Sequence, residues 1–215
     1  MADGDDRQVE RRQGIQAEAW RLMAERGYEG VTMRELSRRT GISTRTLYEI
    51  YGGKDALLGE AFRGRLRIVF ERIEQAIDVK GLEHLVRMNS AIVASIAASE
   101  NFSRAYASVL ASNKISIYTI ETPVAHFRGC LEEICAQGDF LPWADLELTA
   151  RRLLMGQNAL MIQWGNGTVS IANLEALYMM SLCEILIPLT TGKTHATLRE
   201  RLETLHRQFV ATVTF

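Results

Sequence analysis

Apolar residues recur along this chain at helical spacing almost from end to end, and no sustained alternation of β-branched and polar residues interrupts them. The pattern predicts an all-α protein. Ile15, Ala19, Leu22 and Met23 stripe one face of a first helix over about 8–26, which Gly27 stops, a residue suited to the left-handed backbone just past a helix end. Thr32 and Glu35 form a T-x-x-E capping box, so a second helix starts at Thr32 and stops at Gly41. Ser43 caps a short third helix to Tyr51, and Gly52-Gly53 breaks it before Lys54-Asp55 opens a long fourth helix towards Ile77. Beyond Lys80-Gly81 the pattern predicts apolar helices at about 82–99, 102–113, 122–137, 143–165, 171–189 and 194–213, with Gly138-Asp139, Gly165-Asn166-Gly167 and Thr190-Thr191-Gly192 among the turns. The expected organisation is a three-helix unit over 7–53, a connecting helix over 54–79 and a helical body over 80–215.

Charge changes this picture only when it is divided along the chain. The 215 residues hold 25 Lys and Arg against 26 Asp and Glu, a net −1 that argues against broad coating of polyphosphate. From Arg7 to Arg67, however, 13 basic residues face 8 acidic ones, a net +5, whereas residues 1–6 and 68–215 each carry −3. A basic N-terminal third on an acidic body is the electrostatic pattern of a protein that presents one end to nucleic acid.

Composition removes other classes. At 47% hydrophobic and 24% charged, the chain can bury a sizeable core. Its longest nearly apolar stretch, Ala176 to Leu189, is 14 residues, short of the roughly 20 that a membrane span requires, so no membrane partner is expected. The opening MADGDDRQVERR is acidic where a secretory signal is basic, and a cytoplasmic location is expected. Cys130, Cys135 and Cys183 form no CxxC pair, and His126 and Cys130, though four apart on one helix face, have no third or fourth ligand placed beside them. His84, His195 and His206 stand alone in the sequence, so no metal or cofactor is expected. No GxSxG, HExxH, phosphate loop or dinucleotide motif occurs, and no enzyme is expected.

The segment TMRELSRRTGISTRTLYEIY, Thr32 to Tyr51, places a helix, a three-residue turn and a second helix within 20 residues. This is helix-turn-helix spacing, in which Leu36, Ile42, Leu47 and Ile50 can meet and leave the N-terminal turn of the second helix exposed. That turn offers Ser43, Thr44, Arg45, Thr46 and Tyr48 to a major groove. Arg45 suits a bidentate pair with guanine, and Thr44 or Thr46 a thymine methyl or a phosphate. Thr32, Arg34, Tyr48 and Lys54 complete the DNA-binding candidates, mainly towards the backbone. Of Arg38 and Arg39, one is expected to pair within the molecule. Trp20 is expected to pack rather than stack on a base.

AERGYEGVTMRELSRRTGISTRTLYEIYGGKDALL, Ala24 to Leu58, closely resembles the DNA-binding signature of the TetR family of bacterial transcriptional regulators. The match is position-specific at Gly27-Tyr28, Thr32, Glu35-Leu36, Gly41-Ile42-Ser43, Thr46-Leu47-Tyr48, Tyr51 and Lys54-Asp55-Ala56-Leu57. The chain departs from the pattern at Ile50, where a polar residue is common, and at Gly53, where Ser or Asn often caps the fourth helix. The resemblance implies an all-helical homodimer with an N-terminal DNA-binding domain and a C-terminal domain that binds a small effector.

Helices at 143–165 and 171–189 are too apolar for one small domain to cover, so both are expected to pair with their symmetry copies, through Leu153, Leu160, Trp164, Leu182, Ile185 and Leu186. Met88, Ile92, Phe102, Tyr106, Phe127, Met155, Asn158 and Ile162 are candidate walls of an effector pocket, with Gln157 and Asn158 as polar anchors. The expected function is a dimeric repressor on a near-palindromic operator, released by a small, largely apolar ligand. A helical protein-protein adaptor, or an enzyme, with DNA binding lost is the alternative, and retardation of duplex DNA separates the two.

Overall fold

The computed structural model describes residues 2–112 and 121–212, with side chains over 8–111 and 121–210. The described residues form an all-α protein: α1 (Ala2–Gly30), α2 (Met33–Thr40), α3 (Thr44–Tyr51), α4 (Lys54–Gln75), α5 (Leu82–Ala98), α6 (Glu100–Ser112), α7 (Glu121–Ala136), α8 (Leu146–Gly165), α9 (Ile171–Leu186) and α10 (Gly192–Thr212). A 3₁₀ turn, Ile187–Leu189, extends α9, and the single bridge Phe140 to Thr190 ties the α7–α8 connection to the turn before α10. The expected helices at 102–113 and 194–213 each run one residue beyond the described part.

Local chemistry sets the short helices. Gly27 takes φ 68° and kinks α1, so that Tyr28 and Val31 turn into the core. The Thr32 hydroxyl accepts from the Glu35 backbone N–H at 3.2 Å, and Gly41, at φ 69°, closes α2 by donating its N–H to the Ser37 carbonyl at 3.0 Å. Ser43 caps α3 through the Thr46 N–H at 3.1 Å. At Gly53 α4 starts with no side-chain cap, leaving Asp55 in its first turn to offset the helix dipole.

One continuous core joins the two ends of the molecule. Ile15, Leu22, Leu36, Leu47 and Leu57 are buried in the N-terminal unit, and the same cluster continues through Phe62, Met88, Phe127 and Leu182 to Leu198. The helix α4 packs on α1, α3, α5 and α7, so it belongs to both regions. Close approach within the body needs small residues: a Cβ added at Gly165 would lie 2.4 Å from Ala107 Cβ, where α6 crosses α8.

The helix expected at 171–189 includes a run, Ile171–Leu189, of 19 residues at mean hydropathy 1.4, long and apolar enough by length and composition to cross a membrane. It starts where Ser170 caps it through the Asn173 N–H. In this fold it packs against α5, α8 and α10.

Candidate DNA-binding surface and effector cavity

The first turn of α3 projects from the end of the molecule. Arg45 is the most open of its side chains, 89% exposed, and its guanidinium rests on Glu49 at 2.9 Å, one helical turn away. Ser43 and Tyr48 are exposed, Thr44 and Thr46 half-buried, and the Ser43 and Thr46 hydroxyls lie 2.9 Å apart. On α2, Thr32 and Arg34 are exposed beside them. Leu36 and Leu47 are buried beneath, with Ile42 and Ile50 packed against them, which sets the angle between the two helices.

Lys54 is less free than its neighbours. Its ammonium donates to the Tyr28 carbonyl at 3.3 Å, lies 4.3 Å from the Tyr28 ring centroid and faces Glu29 at 3.7 Å. The Tyr28 hydroxyl donates in turn to Asp55, and burial followed by this acceptor pushes the phenol above its usual range. These contacts clasp the start of α4 to the end of α1.

The two neighbouring arginines divide their roles, and both are paired within the molecule. Arg39 is only 16% exposed and is gripped by Glu18, Glu25 and Glu35, so it fastens α1 to α2. Glu25 first, then Glu18, holds its guanidinium firmly in the charged form. Arg38 points outward and meets Glu35 through two hydrogen bonds, 2.6 and 2.9 Å. The Arg38 pair pulls the Glu35 carboxyl down to about 2, against the opposing effect of burial and with help from Arg39.

A second feature lies in the body, where α4 to α9 enclose a cavity of about 580 Å³, counting its open mouth. Ile92, Phe102, Tyr106 and Asn158 are on its walls, as are Ser95, Ile96 and Gln157. The other candidates lie elsewhere. Met88 and Phe127 are buried in solid core, Ile162 is half-buried off the cavity, and Met155 is 69% exposed on the outer face of α8. Helical phase is the reason: Leu154, Gln157 and Met161 take the inward stripe, and Met155 is rotated away from it. Sequence reasoning missed Leu66, Val69 and Phe70 of α4 and Tyr178 of α9. The hydroxyl of Tyr178 in an otherwise apolar helix was the available signal; nothing local marks the α4 residues.

An aromatic joint connects cavity and DNA-binding unit. Trp20 of α1 donates its indole N–H to the Ala61 carbonyl at 3.2 Å and packs at 4.5 Å against both Phe62 and Phe102. Phe62 also meets Tyr106 at 5.4 Å, so one cavity wall, Phe102, touches the side chain that anchors α1 and a second, Tyr106, reaches it through Phe62.

The expected pairing residues also need correction. Leu153, Trp164, Leu182 and Leu186 are buried within the subunit, and the Trp164 ring lies under Arg104 at 4.9 Å. Leu160 and Ile185 are half-buried. The outward face of α8 carries Leu148, Met155 and Ala159, with the exposed Arg152 among them. Both faces of this helix hold large apolar residues, so composition did not reveal which of them the subunit itself covers.

His84 does not stand alone. Its ring nitrogens lie 3.0 Å from Glu74 and 3.2 Å from Glu133, while His126 meets Glu74 at 2.9 Å and stacks on Phe70. Cys130 is buried, and burial pushes its thiol up. Among the described residues no group of His, Cys, Asp and Glu is arranged to hold a metal.

Residues 15–61 match the family model for bacterial regulatory proteins of the tetR family. No curated protein matches the chain. Similar solved structures include TylP, a TetR regulator from Streptomyces fradiae, with TM-score 0.62, 20% identity, and 98% of this chain and 94% of that one covered. FadR from Bacillus subtilis, seen with stearoyl-CoA, has TM-score 0.60 and 18% identity over 79% of this chain and 96% of its own. SmeT, repressor of the Stenotrophomonas maltophilia multidrug efflux pump SmeDEF, has TM-score 0.60 and 16% identity over 85% and 92%. The N-terminal segment is thus similar to the bacterial regulatory proteins of the tetR family, and the chain as a whole has the fold of TetR-family transcriptional regulators.

Proposed function

We propose that the chain is a repressor that binds a near-palindromic operator as a homodimer and leaves it when a small, largely apolar molecule fills the cavity. The observation that carries this reading is the capped, exposed first turn of α3 with Arg45 at its tip. Arg45 reads a guanine after exchanging Glu49 for the base, and Thr44 and Thr46 meet a thymine methyl or a phosphate. Thr32, Arg34, Ser43 and Tyr48 hold the DNA backbone. Lys54 contributes one more phosphate contact by exchanging its Glu29 partner. Such a partner places the protein in the cytoplasm.

Dimerisation through the outer face of α8, with Leu148, Met155 and Ala159 beside the half-buried Leu160 and Ile185, duplicates the basic end and sets one spacing. Release follows from shared walls. The cavity uses Leu66, Val69 and Phe70 of α4 and Phe102 and Tyr106 of α6, and the last two belong to the joint that holds Trp20. A ligand that parts these walls displaces α4 and α1 together and shifts the population towards the wrong spacing. A coupling of about 1–3 kcal/mol changes operator affinity roughly 5- to 150-fold. Two proteins of the same fold support the reading, FadR with its bound stearoyl-CoA and SmeT as a repressor.

Selection from random duplex DNA is expected to return inverted half-sites whose binding weakens steeply with salt. Failure to enrich any duplex at low salt would overturn the DNA-binding reading. A monomer by sedimentation at micromolar concentration would remove the dimer, and Met155→Glu is the variant expected to produce one.

A further inference from the structure

We propose that the cavity takes an uncharged, flat, ring-bearing molecule with one polar substituent, and rejects carboxylates and phosphates. This rests on the cavity being the effector site. Among the described residues, no Asp, Glu, Lys, Arg or His contributes to its walls. Two basic side chains among the described residues lie behind wall residues: Arg65 is 5.7 Å from the Phe102 ring centroid, and His126, stacked on Phe70, is held by Glu74. An anion entering here loses its hydration and meets no cation among the described wall residues in return.

The polar groups that are present are neutral. Gln157, 92% buried by its 8% exposure, donates its amide N–H to Asn89 Oδ1 at 2.9 Å behind the wall, while the Asn89 amide nitrogen is buried with no partner. Turning both amides over swaps oxygen and nitrogen in each and so exchanges donor for acceptor within the same pair. Either way, one polar atom of Gln157 is left for an occupant, so the site accepts a carbonyl or a hydroxyl. Asn158, the next residue on α8, makes no side-chain hydrogen bond among the described residues and also lines the cavity. Burial, and then Tyr106, keep the Tyr178 phenol protonated, a further neutral donor. The apolar surface favours rings. Phe70, Phe102, Tyr106 and Tyr178 all contribute, and Phe102 and Tyr106 lie nearly parallel, 10° apart. A flat ring meets such walls with both faces and edges.

Calorimetric titration of the full chain with three probes tests the proposal: 2-acetylnaphthalene, 2-naphthoate of nearly the same shape, and the acyclic ketone decan-2-one. The neutral naphthyl ketone is expected to bind roughly 30-fold or more tightly than the carboxylate, because only the carboxylate brings an unpaired charge. It is also expected to bind more tightly than decan-2-one. Asn158→Leu is expected to weaken it about 5- to 10-fold while leaving duplex binding intact, and Asn158→Lys to raise naphthoate affinity. Equal or tighter binding of naphthoate, parity of decan-2-one, or no binding of the naphthyl ketone by a folded, DNA-binding protein would overturn the proposal. Selective binding of the ketone that leaves duplex affinity unchanged would support this ligand class and overturn the effector reading instead.

Discussion

The DNA-facing end and the helical body hold their shapes by different means. At the end, the boundaries of α2 and α3 are set by caps within three or four residues: Thr32 on Glu35, Gly41 on Ser37, Ser43 on Thr46 and Gly52 on Tyr48. Arg38 on Glu35 and Arg45 on Glu49 pair within one turn, while Arg39 reaches across to Glu18 and Glu25 of α1. In the body, the cavity draws walls from six helices, and its two amide-bearing neighbours, Asn89 and Gln157, are 68 residues apart. On the proposed function, the surface that meets DNA has its element boundaries set by short-range interactions, and the cavity that takes an occupant is walled by long-range ones.

The strongest way to break this contrast is to cut the joint between the regions. Phe62→Ala removes the ring that touches Trp20, Phe102 and Tyr106, and is expected to cost about 3–5 kcal/mol in urea unfolding, as for other buried aromatics. A single shifted transition is expected from the continuous core; two separate transitions would show that the end folds independently of the body.

Next in size, Arg45→Ala is expected to lose about 1–3 kcal/mol on the selected operator, confined to one base position, with little change on random DNA. Equal losses on both would reassign Arg45 to phosphate. Ser43→Ala should cost about 1 kcal/mol of stability through the lost α3 cap, and Ser170→Ala a similar amount at α9. Only the first should also weaken operator binding, which separates a cap that presents a surface from one that merely starts a helix.

The smallest effect is one of pH. Glu35 has its carboxyl held at about 2, below the ordinary 4.5, chiefly by Arg38. The contribution of its pairs with Arg38 and Arg39 on α2 is therefore complete above about 4.5 and lost as the pH falls through about 2. The melting temperatures of wild type and Glu35→Gln should converge across that window, and a gap that stays constant would mean that the pairs contribute nothing.

The N-terminal elements were legible because their signals are local. A capping box, a Gly at a helix end and a stripe such as Ile15, Ala19, Leu22 and Met23 act within one or two turns, and the structure places them where the spacing implies. Arg39 shows the limit even here. The sequence predicts that one of Arg38 and Arg39 pairs within the molecule without saying which, and Glu18 and Glu25, from a helix across the turn, draw Arg39 inward.

In the body the helices themselves were legible, and their inward faces were not. On α8, Leu153 and Met155 are equally apolar and two residues apart, but one is buried and the other open. Only the packing of α6, α7 and α9 against α8 decides between them. What the sequence determined by itself is the all-α class, the helix-turn-helix and the basic end, because periodicity, caps and charge need no distant partner. The tertiary structure alone decided the cavity walls, the Trp20 joint and the outward face of α8. Each of these depends on which distant helix supplies the neighbouring surface.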